Sequence, residues 1–202
     1  MKLPNIKTGT VVVGALASFF MITEHMAVRS YEPSPAKQQV VEEPQQEPQP
    51  RTLRLQGASP TEQEVLEFIT EIGITDKNAV ATILGNIKQE SKFETRICEG
   101  GKRTGYSGCH RGGFGLIQWT TPGRYSGLGK FARSRNADPN DLQIQLEYML
   151  TERPWKRAFG SFKTPGKSIE SYMRSAHVWL GWGVHGERTN YAYDYSDRLY
   201  WG

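Results

Sequence analysis

A long polar segment divides this chain and limits how much of it can fold. Residues 31–57 consist mainly of Pro, Gln, Glu and Val, and Tyr31 is their one aromatic residue. Such a composition buries too little apolar surface to offset the conformational entropy that is lost on ordering. We therefore expect a disordered linker over residues 31–58 and a folded domain over residues 59–202.

The first 30 residues have the pattern of an exported or membrane-inserted segment. Lysines precede an uncharged stretch over residues 8–23, which is shorter than a transmembrane helix of about 20 residues but longer than many signal-peptide cores. The apolar run continues beyond the small residues Ala15 and Ala17, which is poor geometry for cleavage. We favour an uncleaved signal-anchor in residues 1–30 over a cleaved signal peptide or a buried helix. The flanking lysines then place the folded domain outside the cytoplasm.

The charge of the chain says little about its partners. A net charge of +4 suits an anionic polymer such as a cell-wall glycan or a nucleic acid. The basic residues are scattered and form no run, which indicates weak, non-specific attraction. We therefore predict no nucleic-acid partner, and no motif indicates a cofactor.

One carboxylate is distinctive because it lies in phase with an apolar helical stripe. The stripe has the i, i+3, i+4, i+7 spacing of one helix face and consists of Ala79, Val80, Ile83, Leu84 and Ile87. Glu90 takes the next place in the series, in the last turn of the predicted helix. A carboxyl group held against a hydrophobic face keeps its proton near neutral pH, so Glu90 is our candidate general acid.

The rest of the domain is predicted to be mainly helical. Residues 59–62 read Ser-Pro-Thr-Glu, a capping box with proline at the first helical position. Further helical stripes lie at residues 142–149, 168–179 and 187–199, whereas residues 114–119 are typical of a short strand. The predicted class is mainly α (α+β): a helical domain with a small central β element, an N-terminal membrane helix and a disordered linker.

Cys98 and Cys109 flank an irregular, glycine-rich stretch. An even cysteine count in an exported chain favours a disulfide, with free thiols as the alternative. These cysteines with the adjacent His110 do not have the spacing of a zinc site, so no metal is predicted.

Two motifs, in this order, resemble the phage tail lysozyme family. Residues 85–93 hold a Glu-Ser pair, and residues 113–120 hold Gly-Leu-Ile-Gln, with Arg124 following. The family is similar, more distantly, to goose-type lysozymes and soluble lytic transglycosylases, which share both features. The resemblance covers about residues 60–202 and implies a lysozyme-like fold that acts on peptidoglycan glycan strands.

The resemblance also implies roles for individual residues. The Glu of the Glu-Ser pair is the catalytic acid in this superfamily, which here is Glu90. Apart from the resemblance, an inverting hydrolase needs a second carboxylate, whereas assistance by the substrate's N-acetyl group needs none. Glu99 is the candidate for such a carboxylate, although a surface charge is the simpler interpretation. The expected substrate-binding residues are Ser91, Gly115, Leu116, Gln118, Trp119, Arg124 and, near the C-terminus, Tyr191.

We therefore predict a phage-encoded glycosidase that cleaves the β-1,4 bond between N-acetylmuramic acid and N-acetylglucosamine. Lytic transglycosylation with the same acid is the first alternative. A non-catalytic glycan-binding module or structural tail component is the second. The signal-anchor favours a lysis enzyme tethered to the membrane, whereas the family resemblance favours a virion-associated enzyme that contacts other virion proteins.

Overall fold

The computed structural model describes residues 51–110 and 112–202. Seven α-helices and a two-stranded sheet form in this part, which confirms the mainly helical class. In chain order the elements are β1 (Leu53–Leu55), α1 (Pro60–Glu71), α2 (Lys77–Ser91), α3 (Pro122–Ser134), α4 (Leu142–Thr151), α5 (Arg153–Lys163), α6 (Ile169–Leu180), α7 (Arg188–Arg198) and β2 (Leu199–Trp201).

The sheet joins the two ends of the folded domain. Strand β1 pairs antiparallel with β2, and Leu55 lies opposite Leu199. Leu53 and Leu55 are buried while Arg54 between them is exposed, the alternation expected of a strand with one covered face. Because β1 lies within residues 31–58, the folded domain begins earlier than the sequence predicted.

The middle of the chain contains less β structure than predicted. Phe114 pairs with Cys98, and Ile97 pairs with Arg103, only as isolated bridges. Residues 115–118 form a turn instead of a strand. The small sheet of this fold therefore comes from the domain ends, and the predicted strand over residues 114–119 is wrong.

The capping box of α1 forms as predicted and also ties the helix to the rest of the domain. The Ser59 N–H donates to Glu62 Oε2 at 2.8 Å, and the Glu62 N–H donates to Ser59 Oγ at 3.3 Å. The other carboxyl oxygen of Glu62 accepts the Tyr195 hydroxyl of α7 and lies 3.9 Å from Lys88 Nζ of α2. One buried carboxylate thus links three helices.

Helix α2 is the central element of the core. Asp76 caps its N-terminus by accepting the Ala79 N–H at 3.0 Å. The predicted apolar stripe is confirmed as fully buried: Ala79, Val80, Ile83, Leu84 and Ile87 have no exposed surface. The side of α2 that ends in Glu90 is therefore fixed against the core.

Gly85 lets α7 approach α2 closely. A Cβ atom at Gly85 would lie 2.5 Å from the backbone nitrogen of Ala192, which no side chain tolerates. The two helices cross with backbone against backbone at this point. This contact places the start of α7, with Arg188, beside the end of α2, with Glu90.

We expect Gly85→Ala to destabilise the domain. The added methyl meets backbone atoms that cannot rotate away, and overpacking of this kind costs about 1–3 kcal/mol. The better helix propensity of alanine offsets up to about 1 kcal/mol of that loss. Gly160→Ala in α5 is the matched control, because no atom lies within 4 Å of its Cβ position and the propensity gain should dominate. Urea unfolding of both variants measures the difference; equal stabilities would contradict the close approach.

The predicted signal-anchor (residues 1–30) and the linker up to residue 50 lie outside the described residues. In the described ranges, no helix combines the length and the apolar character needed to cross a membrane. The same ranges hold no group of three or more His, Cys, Asp or Glu side chains suited to a metal ion.

Candidate active site

A cavity of about 590 Å³ lies where the end of α2 meets the start of α7. Residues from the 97–103 and 113–120 segments complete its wall. Glu90 and Glu99, the predicted acid and second carboxylate, both line this cavity. The fold thus brings together two side chains that the sequence analysis assigned to one reaction.

Glu90 is largely buried in the cavity wall. Its side chain is 14% exposed, and its Oε1 accepts a hydrogen bond from Arg188 Nη2 at 2.7 Å. Burial raises the pKa of the Glu90 carboxyl above its usual value, while the nearby charge of Arg188 and, more weakly, that of Arg124 oppose the rise. A carboxyl group in this setting holds its proton at higher pH than an exposed one.

An unusual backbone ends α2 two residues after Glu90. Lys92 and Phe93 both have positive φ, at 53° and 65°. Residues other than glycine rarely adopt this region of backbone conformation. The Lys92 N–H donates to the Lys88 carbonyl at 3.0 Å, and the buried Phe93 ring packs edge-on against Tyr195 at 6.1 Å. These contacts hold two strained residues beside the candidate acid, where such strain is most often found.

The 113–120 segment wraps into a tight turn. Gly115 and Gln118 have positive φ, at 73° and 51°. The Trp119 N–H donates to the Phe114 carbonyl at 3.0 Å, and Gln118 Nε2 donates to the Gly115 carbonyl at 2.9 Å. Gln118, one of the predicted substrate-binding residues, remains partly exposed and lines the cavity.

A buried amide that the sequence analysis missed holds this turn. Gln145 of α4 has no exposed surface, and its Oε1 accepts the Leu116 N–H at 2.8 Å. Its Nε2 donates to the carbonyls of Thr95 and Pro139, each at 2.9 Å. A Cβ at Gly115 would lie 2.6 Å from Gln145 Oε1, so glycine is needed at that position.

Three of the predicted substrate-binding residues lie beneath the cavity surface. Leu116 and Trp119 have no exposed side-chain surface, because the turn directs both into the core. Gly115 is buried as well. Ser91 lines the cavity but is only 2% exposed, and its hydroxyl donates to the Leu116 carbonyl at 2.8 Å. Trp119, which was predicted to bind substrate, therefore offers no surface to a sugar.

Arg124 belongs to a partly buried ion pair. Its Nε and Nη2 donate to the two carboxyl oxygens of Glu152 at 2.7 and 2.8 Å. Trp119 Nε1 donates to the same carboxylate at 2.9 Å. Arg124 is not part of the cavity wall as described, and it acts on Glu90 only through its longer-range charge.

Arg188, at the start of α7, lines the cavity, whereas Tyr191 was the residue predicted near the C-terminus. Tyr191 does not contribute to the described wall of the cavity, because its backbone faces Gly85 of α2. Arg188 lies one turn earlier and contacts Glu90. A sequence signal for Arg188 exists: it shares one helical face with Ala192 and Tyr195, both of which are buried.

The two other carboxylates of the cavity are held in different ways. Glu99 is exposed, and its Oε2 accepts the Gly113 N–H at 3.1 Å. Glu94 accepts a hydrogen bond from Arg103 Nη2 at 2.6 Å. Glu99 is therefore oriented by a neutral donor, whereas Glu94 is neutralised by a cation.

A disulfide joins Cys98 and Cys109, whose Cα atoms lie 5.7 Å apart. It closes the loop that carries Glu99 and Arg103 into the cavity wall. In the chain-entropy account, a loop of this length gains about 3 kcal/mol from such a bridge. The cross-link therefore stiffens the part of the site that has the least helical support.

The geometry can be compared with known proteins. A model of the phage tail lysozyme family matches residues 60–198, which is more than half of the chain. The chain belongs to the phage tail lysozyme family. No curated protein matches it. Membership of the phage tail lysozyme family supports a peptidoglycan-degrading enzyme in general terms and is consistent with association with the virion.

Proposed function

We propose that this protein is a glycosidase that cleaves the β-1,4 bond between N-acetylmuramic acid and N-acetylglucosamine, with Glu90 as the general acid. The observation that carries the proposal is the state of Glu90 in a chain of the phage tail lysozyme family. Its carboxyl group is 14% exposed, faces a cavity, and has a pKa raised by burial.

The two oxygens of Glu90 suggest how the acid works. Oε1 is held by Arg188, while Oε2 has no hydrogen-bond partner among the described residues. Oε2 can therefore carry the proton and donate it to the glycosidic oxygen as the bond from C1 to that oxygen breaks. The leaving sugar departs as an alcohol, and positive charge develops on the C1 side.

Two nucleophiles can then complete the reaction. Attack by water gives hydrolysis and a reducing end, whereas attack by the 6-hydroxyl of the same sugar gives a 1,6-anhydro product. In both cases the nucleophile loses a proton, which the Glu90 carboxylate or a second base can accept. The first outcome is our proposal, and lytic transglycosylation is the alternative.

The proposal is tested by incubating the purified full-length chain with peptidoglycan and analysing the soluble fragments by mass spectrometry. We expect muropeptides with reducing ends from the wild type. Release of anhydro sugars instead would show that the enzyme is a lytic transglycosylase and not a hydrolase. If the folded wild type binds peptidoglycan but releases no fragments, the proposed enzymatic function is wrong and the protein is a glycan-binding module.

Glu99 is our proposed base for the attacking water. A neutral N–H donor orients its carboxylate, and no described cation pairs with it. We expect Glu99→Gln to slow the release of reducing ends by about 100-fold, the lower range for loss of a general base. Glu94→Gln is the control, because Glu94 is already neutralised by Arg103 and should change the rate little. Equal rates for the two variants would leave the substrate's own N-acetyl group as the assisting group.

The proposed place of action is outside the cytoplasmic membrane, either in the virion or tethered through residues 1–30. Family membership supports the virion, while the sequence pattern of the N-terminal segment favours the tether. Antibody detection of the full chain in purified virions and in membranes of infected cells separates the two roles.

A further inference from the structure

We propose that Arg188 is a positioning residue for Glu90: it fixes which carboxyl oxygen carries the transferable proton, and it sets the upper pH limit of cleavage. The inference rests on the proposed role of Glu90 as the acid. The contact that carries it can nevertheless be tested without measuring activity.

The guanidinium of Arg188 donates a hydrogen bond to Glu90 and to no other described acceptor. Arg188 Nη2 lies 2.7 Å from Glu90 Oε1, and the two side chains are 6% and 14% exposed. Arg188 Nε and Nη1 are buried and have no hydrogen-bond partner in the part of the chain that the structure describes. The charge is therefore not shared with a second carboxylate, and its full effect falls on Glu90.

Arg188 is an unfavourable residue for its place in the fold. Burying a guanidinium costs several kcal/mol unless its donors are paired, and two of its nitrogens are unpaired. Arg188 is also the first residue of α7, where the helix dipole disfavours a cation. An apolar side chain would pack there without either cost, so packing alone does not explain the arginine.

The surroundings hold Arg188 in this position. Its guanidinium carbon lies 4.6 Å from the centre of the Trp182 ring, a cation–π contact. The N–H of Glu187 donates to Gln89 Oε1 at 2.9 Å, which joins the start of α7 to the residue before Glu90. The residues that precede Glu90 and Arg188 in the chain are thus bonded to each other, which holds the two side chains side by side.

Other charged groups line the same cavity or lie near it, but no other ion pair to Glu90 forms among the described residues. Arg124 of α3 is paired with Glu152, and Arg103 is paired with Glu94. The remaining charged or titratable groups of the cavity wall and of the loop before α7 are Lys92, Glu99, His185 and Glu187. Among the described residues, Arg188 is the cation in direct contact with Glu90.

The contact with Arg188 determines which oxygen of Glu90 carries the proton and limits the pH range in which Glu90 is protonated. With Oε1 occupied, the proton resides on Oε2. Burial alone would raise the pKa of Glu90 further, and the positive charge of Arg188 restrains that rise. An adjacent arginine typically lowers a carboxyl pKa by about 1–3 units, so its removal should extend the acidic form to higher pH.

The test compares full-length Arg188→Met and Arg188→Gln with wild type. The Glu90 carboxyl is titrated by ¹³C NMR, with its signal assigned by its absence in Glu90→Gln, and cleavage is measured over the same pH range. We expect the Glu90 titration and the upper limb of the rate profile to move to higher pH by about one unit or more in both variants. Arg188→Lys, which keeps the charge, should restore most of the wild-type behaviour.

Arg135→Met is the control, because Arg135 pairs with Glu147 on the surface and should leave both curves unchanged. Near-UV circular dichroism confirms that each variant is folded before titration. An unchanged Glu90 titration in either folded, uncharged variant would overturn the inference. Full activity of Glu90→Gln would instead overturn the proposed function, while the NMR titration would still decide whether Arg188 acts on Glu90.

Discussion

Cleavage of peptidoglycan by the Glu90→Gln variant is expected to be about 10²- to 10⁴-fold slower than by wild type, the range typical for loss of a general acid. Glutamine has nearly the same shape and still offers an oxygen to Arg188. Its amide has no acidic proton that it could transfer to the glycosidic oxygen. The initial rate at which soluble peptidoglycan fragments are released measures the effect. Glu94→Gln, also in the cavity wall, controls for the loss of any carboxylate.

The same variant is expected to gain stability at neutral pH. Because burial raises the pKa of Glu90 in the folded state, the folded chain binds more protons than the unfolded chain between the two pKa values. Stability then falls as pH rises through this window, and the cost is fully present above the folded-state pKa. Glutamine imitates the protonated form, so the cost is absent in Glu90→Gln.

A pair of denaturation curves checks this sign. Wild type and Glu90→Gln should have similar stability well below the unfolded-state pKa of Glu90, and the variant should be the more stable at pH 7. Loss of activity together with a gain of stability is typical of a residue kept for catalysis. A variant that is inactive and also less stable at pH 7 would contradict the raised pKa.

Much of the helical framework follows from local sequence signals. The stripe of α2 and the capping box of α1 depend on neighbours within a few residues, so their patterns could be interpreted correctly. Glu90 was selected as the candidate acid because it continues such a stripe. Arg188 continues one too, but a charged residue in a buried phase was not recognised as part of it.

The errors concern structure that distant residues determine. Strand β1 forms because Leu55 pairs with Leu199 at the other end of the domain, which no local pattern reveals. The segment from Phe114 to Trp119 has the apolar composition of a strand, yet Gln145 binds its backbone and holds it as a turn. That turn also buries Trp119, which we predicted to bind substrate.

Gln145→Leu is expected to be the most destabilising of the substitutions considered. Leucine fills a similar volume but leaves the buried Leu116 N–H without an acceptor and removes one donor each from the carbonyls of Thr95 and Pro139. An unsatisfied buried donor costs about 1–3 kcal/mol, and each lost hydrogen bond about 1 kcal/mol, so the total is about 3–5 kcal/mol. Thermal unfolding should shift down by on the order of 10 °C.

Gln143→Leu separates this effect from a general effect of leucine in α4. Gln143 lies two residues earlier in the same helix, is exposed, and among the described residues its side chain bonds to Glu147 alone, at 3.0 Å. Its loss should therefore change stability by less than about 0.5 kcal/mol. Because Gln145 orders the turn that places Gln118 in the cavity wall, folded Gln145→Leu protein should also cleave more slowly at temperatures below its transition. A Gln145→Leu variant as stable as Gln143→Leu would mean that the turn is held by its own backbone bonds and does not depend on α4.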